Sequence, residues 1–265
     1  MNVSLSREDV VRLTERVEGA QINGYTIPNL TNEYPNMTLS DGYLVQKELR
    51  QRLVSSGQRL VGWKAGLTSK AKMIQMGINV PIIGFLTDRM ASMEGFPISF
   101  QKLIHPRIEC EIAFVTKKLL KGPSCSAKDV IEATDYILPS LEVIDSRYEN
   151  FNFDLPSVVA DNGSSSYFVT GARARYPSDF DIRSLGVVME KNGEIVAMGA
   201  AASVLDNPAN AVAMLVNCLS GFDEFLPAGS IVMSGGITPT IPVRSGDNIV
   251  ARFQELGTVS LRFVE

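Results

Sequence analysis

The chain has 265 residues, of which 45% are apolar and 20% charged, and a formal charge of −4. That is long enough to bury a full core and too apolar for extended disorder. No run of Lys or Arg supplies the phosphate-neutralising surface of a nucleic-acid binder, and no apolar run approaches the ~20 residues that span a bilayer.

In chain order, the amino-terminal MNVSLSREDVVRLTERVEGA is charged and amphipathic and lacks an apolar signal core, so cytoplasmic location is the default expectation. Val10, Val11, Leu13 and Val17 recur at helical spacing over residues 6–19, with Ser6 as cap, and SDGYLVQKELRQRLVSSG from Ser40 repeats the design. Between them NGYTIPNLTNEYPNMT, with Pro28 and Pro35, reads as an irregular connection, and residues 21–40 are a candidate lid.

After Gly57 the texture changes to short β-rich runs separated by glycine: RLVGWKAG, IIGFL, RIECEIAFVTK, YILPSLEVID, SYFVTG, SLGVVMEKNGEIVAMG, GSIVMSGG, NIVARF and TVSLRFV. Asn192-Gly193 between apolar runs predicts a hairpin with a type I′ turn. SAKD at Ser126 predicts a helix start, and DNPANAVAMLVNCLSG predicts a helix with Asp206 as N-cap and Pro208 in its first turn. Residues 1–57 are thus an N-terminal helical portion packed on a β-rich main domain, 58–265.

Cys110, Cys125 and Cys218 are widely spaced and odd in number, which suits reduced structural thiols. His105 is the single histidine, so a zinc site built on two or three histidines within one chain is ruled out, and MSGGI at 233–237 is no nucleophile elbow.

HPRIECEIAF, residues 105–114, sets two acids in an otherwise apolar strand. Alternation puts Glu109 and Glu111 on one face, about 7 Å apart, with Ile108, Cys110 and Ile112 on the other. A solvated sheet face is the plain alternative. The continuation into IAFV argues for burial, and Glu142 lies in a similar apolar run, LEVI. Buried carboxylates without partners are costly, whereas three of them satisfy a hard divalent cation, Mg²⁺ or Mn²⁺ rather than zinc.

GWKAGLTSKA (62–71), IECEIAF (108–114), LEVIDSRYENFNFDLPSVVADN (141–162), AGSIVMSGGITP (228–239) and GDNI (246–249) occur in this order. Together they resemble the 2-keto-4-pentenoate hydratase and 4-oxalocrotonate decarboxylase family, within the fumarylacetoacetase superfamily. The resemblance implies an α+β fold, a mixed β-sheet roll with flanking helices. It also implies Mg²⁺ or Mn²⁺ held by Glu109, Glu111 and Glu142, with Lys64 as a catalytic lysine; a surface lysine at a strand end is the plain alternative.

IDSRYENFNFDLPSVVADN looks closer to the decarboxylase branch. That branch removes the distal carboxylate of 2-oxohex-3-enedioate in the meta-cleavage breakdown of aromatic compounds, with the 2-oxo acid end on the cation. A hydratase acting on 2-hydroxypenta-2,4-dienoate, or a catalytically silent partner subunit, are the rival readings. Asp161 and Asn162 could orient substrate, water or Lys64, or simply cap a helix. Gly235, Gly236 and Thr238 could let backbone N–H groups reach a substrate carboxylate, or form a strand-ending turn. Arg147 could pair with substrate or with a protein acid. The resemblance further suggests association with the pathway hydratase, and a homo-oligomer is a further expectation.

Overall fold

The computed structural model describes residues 3–69, 73 and 80–265. The elements in chain order are α1 (Arg7–Asn23), α2 (Leu39–Ser55), β1 (Leu60–Gly66), β2 (Ile82–Thr87), β3 (Ala91–Ser92), β4 (Ile98–Ser99) and β5 (Arg107–Thr116). They continue with α3 (Ala127–Ala133), β6 (Thr134–Ile144), α4 (Leu155–Ala160), β7 (Ser165–Thr170), β8 (Gly186–Lys191) and β9 (Glu194–Ala200). The last are α5 (Pro208–Ser220), β10 (Ile231–Met233), β11 (Ile241–Pro242), β12 (Asn248–Phe253) and β13 (Gly257–Val264).

Helix α1 starts where Ser6 and Asp9 form a capping box, and it ends where Gly24 takes the left-handed conformation. Its buried residues include Val10, Leu13, Val17 and Ala20, the apolar stripe facing the core. Helix α2 begins one turn position earlier than the sequence suggests, because Thr38 rather than Ser40 forms its capping box with Asp41. Likewise Asn207, not Asp206, caps α5, its side chain accepting from the Ala209 N–H. Ser126 caps α3 as expected, with Asp129 completing the box. Asn192 and Gly193 both have positive φ, 55° and 87°, and turn β8 into β9.

A large mixed sheet runs β2-β1-β10-β5-β6-β7-β3, with β11 adding to β5. A second sheet runs β4-β13-β12-β8-β9, and β13 packs across β6 and β7. Strand β5 lies at the centre of the large sheet and is buried along nearly its whole length, so Glu109 and Glu111 on one of its faces are buried with the apolar residues of the other.

α2 packs on α4, and Gln46 of α2 donates to the carbonyls of Ile83 and Val159. The 21–40 connection is anchored rather than free. Ile27 bridges Tyr148 and is buried, the Leu30 N–H donates to Ser157 Oγ, and Thr31 bonds Asp154. It does not line the cavity that Lys64, Glu109 and Glu142 line, and its packing lends no support to a lid. Among the described residues no helix is long and apolar enough to cross a membrane.

Candidate active site and metal centre

Strands β5 and β6 pair antiparallel with Glu109 directly opposite Glu142, and Glu111 opposite Ser140. Alternation then places Glu111 on the same face as Glu109. One carboxylate oxygen from each of the three lies within 4.8 Å of the others, and all three residues are buried. Like charges at opposed sheet positions repel. Burial, then the neighbouring Glu142 and Glu109, push the Glu111 carboxyl well above its usual range. Burial also raises Glu142, against the pull of Lys64.

Lys64 stands on β1, between β10 and β2, and is 3% exposed. Its Nζ donates to the Gly163 carbonyl at 2.9 Å and lies 2.8 Å from Glu142 Oε1. Ser165 Oγ donates to the same oxygen at 3.2 Å. Residues Asn162, Gly163 and Ser164 all have positive φ, so a strained turn delivers the carbonyl that holds the ammonium.

The loop after β10 runs beside β5. Ser234 N–H donates to the Ile112 carbonyl and Ile237 N–H to that of Cys110. Gly235 N–H donates to Glu111 Oε2 at 2.8 Å, and Thr238 Oγ1 accepts from the Cys110 N–H. A Cβ on Gly236 would sit 2.3 Å from Glu109 Oε2, so the carboxylate occupies the space that a side chain would take. These two polar groups therefore serve the protein's own acids and strand, and of the three residues only Gly236 lines the cavity.

Arg147 and Asp161 form a buried ion pair. Arg147 also donates to the carbonyls of Asp145 and Asp161. Burial raises the Asp161 carboxyl to about 6 despite the guanidinium beside it. Asn162 exchanges two hydrogen bonds with the backbone of Phe85 in β2. None of the three lines the cavity. They clamp the 145–147 segment and β2 to the turn that carries Gly163, a structural Arg–Asp pair and a backbone tie.

The cavity holds about 250 Å³ and is lined by Lys64, Glu109, Glu142, Gly163 and Ser164 at its polar end. Ile82, Ile144, Phe151, Phe153 and Val158 form apolar walls, and Arg107 also lines it. The sequence reading passed over Ser165, Gly163 and Arg107. Only Arg107 had a signal: it precedes Glu109 by two residues and so shares its face.

Three observations say that the acids suit a hard divalent cation. Their oxygens converge, Glu111 Oε1 is buried without a hydrogen-bond partner, and Gly236 leaves the Glu109 carboxylate its room. An all-oxygen donor set is that of Mg²⁺ or Mn²⁺. The three cysteines are free, and Cys110, between Glu109 and Glu111, faces the other side of β5 and is no member of the cluster.

The chain is 53% identical over 264 residues, the full length of both proteins, to the 4-oxalocrotonate decarboxylase of Pseudomonas sp. (strain CF600). It is 37% identical over 258 residues to the 2-oxo-hept-4-ene-1,7-dioate hydratase of Escherichia coli, covering 95% of this chain and 97% of that one. Among solved structures, the 4-oxalocrotonate decarboxylase from Pseudomonas putida G7, complexed with magnesium and adipate, matches with a TM-score of 0.97 and 53% identity. That match covers 99% of this chain and 100% of the other. The fumarylacetoacetate (FAA) hydrolase C-terminal family matches residues 68–264, and the chain belongs to that family.

Proposed function

We propose that this protein is a divalent-metal-dependent decarboxylase that converts 2-oxohex-3-enedioate to 2-hydroxypenta-2,4-dienoate, or its keto form 2-oxopent-4-enoate, and CO₂. The observation that carries it is the convergence of the Glu109, Glu111 and Glu142 carboxylates, with Lys64 beside Glu142, where Lys64, Glu109 and Glu142 line a cavity with apolar walls. The choice of decarboxylase over hydratase rests on similarity: 53% identity to the decarboxylase against 37% to the hydratase.

Glu109, Glu111 and Glu142 would hold Mg²⁺ or Mn²⁺. When bound, such an ion supplies Lewis-acid polarisation of the 2-oxo group. The C5–C6 bond breaks, its electron pair moves through C4 and C3 to the C2 oxygen, and CO₂ departs. One proton taken up by the resulting dienolate completes the balance. Lys64 sets an ammonium at the polar end, where it stabilises the developing negative charge and can supply that proton. The Gly163 carbonyl and Glu142 hold its Nζ in place. Arg147, Asp161 and Asn162 act at one remove, by fixing the turn on which Gly163 sits. Ile82, Ile144, Phe153 and Val158 pack against the carbon chain and keep water from it. Association with the hydratase that consumes the product, and assembly into a homo-oligomer, belong to the same proposal.

Purified protein supplied with Mg²⁺ and 2-oxohex-3-enedioate should bleach the conjugated chromophore and release one CO₂ per substrate. EDTA should stop the reaction and Mg²⁺ restore it. Water addition to 2-hydroxypenta-2,4-dienoate without CO₂ release from the diacid would replace this reading with the hydratase.

A further inference from the structure

We propose that Arg107, seated on the ring of Phe151, binds the distal carboxylate of the substrate and so selects diacids over 2-oxo monoacids; the inference deepens the functional reading above and rests on it.

Two cations line the cavity among the described residues, and Lys64 is committed to Glu142 and Gly163. The other, Arg107, is half-buried, and among the described residues no carboxylate lies within ion-pair distance of it. Its guanidinium carbon stands 4.0 Å from the centroid of the Phe151 ring. Stacking of this kind holds the planar group in one orientation while leaving its N–H edge available for a two-pronged bond to a carboxylate.

The spacing fits. Arg107 and Glu109 are alternate residues of β5, so their Cα atoms stand about 7 Å apart and both side chains leave the same face. A six-carbon chain built from bonds of about 1.5 Å puts its terminal carboxyl carbons about 6 Å apart. Arg107 lines the same cavity as Glu109 and Glu142, so a diacid with its 2-oxo acid end at the glutamates has its other end within reach of Arg107. A five-carbon monoacid product has no group there, which favours its release.

Phe151 is held in place by a strained turn. Asn150 and Phe151 both have φ of 57°, a left-handed conformation that is strained for a non-glycine residue. The turn is tied by Phe151 N–H to the Tyr148 carbonyl and by Asn152 N–H to that of Glu149. Tyr148 is itself buried and bonded to the Ser157 carbonyl at 2.7 Å. The ring of Phe151 is thus presented to Arg107 by a locked segment, flanked by Phe153 at 5.8 Å and His105 at 5.4 Å between centroids.

The test uses full-length Mg²⁺-loaded protein and equilibrium binding by calorimetry, with 2-oxohexanedioate and 2-oxohexanoate as probes that differ only at the distal end. The wild type should prefer the diacid by about tenfold or more, the scale of a partly buried charge pair. Arg107→Gln should abolish the preference by weakening the diacid alone, with the monoacid unchanged. Arg107→Met, which keeps the stem packed on Phe151, should do the same and serves if Arg107→Gln fails to fold. Equal binding of both acids to the wild type, a preference that survives both substitutions, or equal weakening of both acids overturns the assignment of Arg107 while leaving the functional reading intact. Failure of both acids to bind the Mg²⁺-loaded wild type overturns the functional reading itself, and this inference with it.

Discussion

Lys64 Nζ and Glu142 Oε1 lie 2.8 Å apart, with both side chains almost fully buried, so the ammonium shares the carboxylate that completes the acidic trio. The same carboxylate therefore meets a fixed cation in Lys64 and takes part in the acidic cluster that would hold a divalent one. This coupling separates two functions that a single substitution can pull apart.

Lys64→Met should lower turnover at least ~100-fold, the usual scale for a positioned proton donor. Mg²⁺ affinity should stay the same or rise, because a competing positive charge has been removed from Glu142. Calorimetric titration with Mg²⁺ beside a CO₂-release assay measures both. Full turnover in the variant would exclude the lysine from the chemistry.

Glu111→Gln keeps the acceptor for the Gly235 N–H while removing one of three crowded negative charges. Metal-free protein carrying it should melt no lower than metal-free wild type, since burial and repulsion already act against that charge. The stabilisation that Mg²⁺ gives the wild type, about 2.7 kcal/mol at a hundred times Kd, should largely vanish. Thermal melts with and without Mg²⁺ read both effects. A variant whose melting point still rises with Mg²⁺ as the wild type's does would remove Glu111 from the ion's ligands.

Gly236→Ala would place a methyl group 2.3 Å from Glu109 Oε2. Glu109 must swing away, so the expected result is a folded protein with lost Mg²⁺-dependent stabilisation and lost activity. Circular dichroism reports the fold and Mn²⁺ binding followed by electron paramagnetic resonance reports the site. Undiminished Mn²⁺ affinity would show that the Glu109 carboxylate does not need its present position.

Asp41 offers a pH test away from the site. Burial raises its carboxyl, but hydrogen bonds from Thr38, Leu5 and Ser4 outweigh that and hold it down at about 2. A folded pKa below the unfolded 3.8 stabilises the folded state above pH 4, and the contribution is lost as pH falls toward 2. Asp41→Asn should therefore cost about 2 kcal/mol at neutral pH, and the gap to wild type should narrow below pH 4. Urea unfolding at pH 7 and pH 3 measures it. A gap independent of pH would place the effect in hydrogen-bond geometry rather than charge.

Local rules made much of the chain readable. Ser6 and Ser126 cap helices because a short hydroxyl side chain with an acid three residues on satisfies free N–H groups nearby in sequence. Asn192-Gly193 turns the hairpin because both residues tolerate positive φ. The helix starts at Thr38 and Asn207 were missed by one or two positions, since neighbouring Ser40 and Asp206 offer the same chemistry. The anchoring of residues 21–40 was hidden, because its partners Tyr148, Asp154 and Ser157 lie more than a hundred residues away.

At the site, alternation along one strand was enough to place Glu109 and Glu111 together, and an apolar context marked Glu142 as a buried acid. Register and partnership come from the packed fold. The pairing of β5 with β6 sets Glu142 against Glu109, and β1 brings Lys64 to it. The same packing turns Arg147 and Asp161 toward each other and spends the Gly235 N–H on Glu111. Sequence periodicity specifies which side chains share a face, because the strand repeat is local. Which charge meets which depends on how distant strands align, and that is settled by packing the whole core.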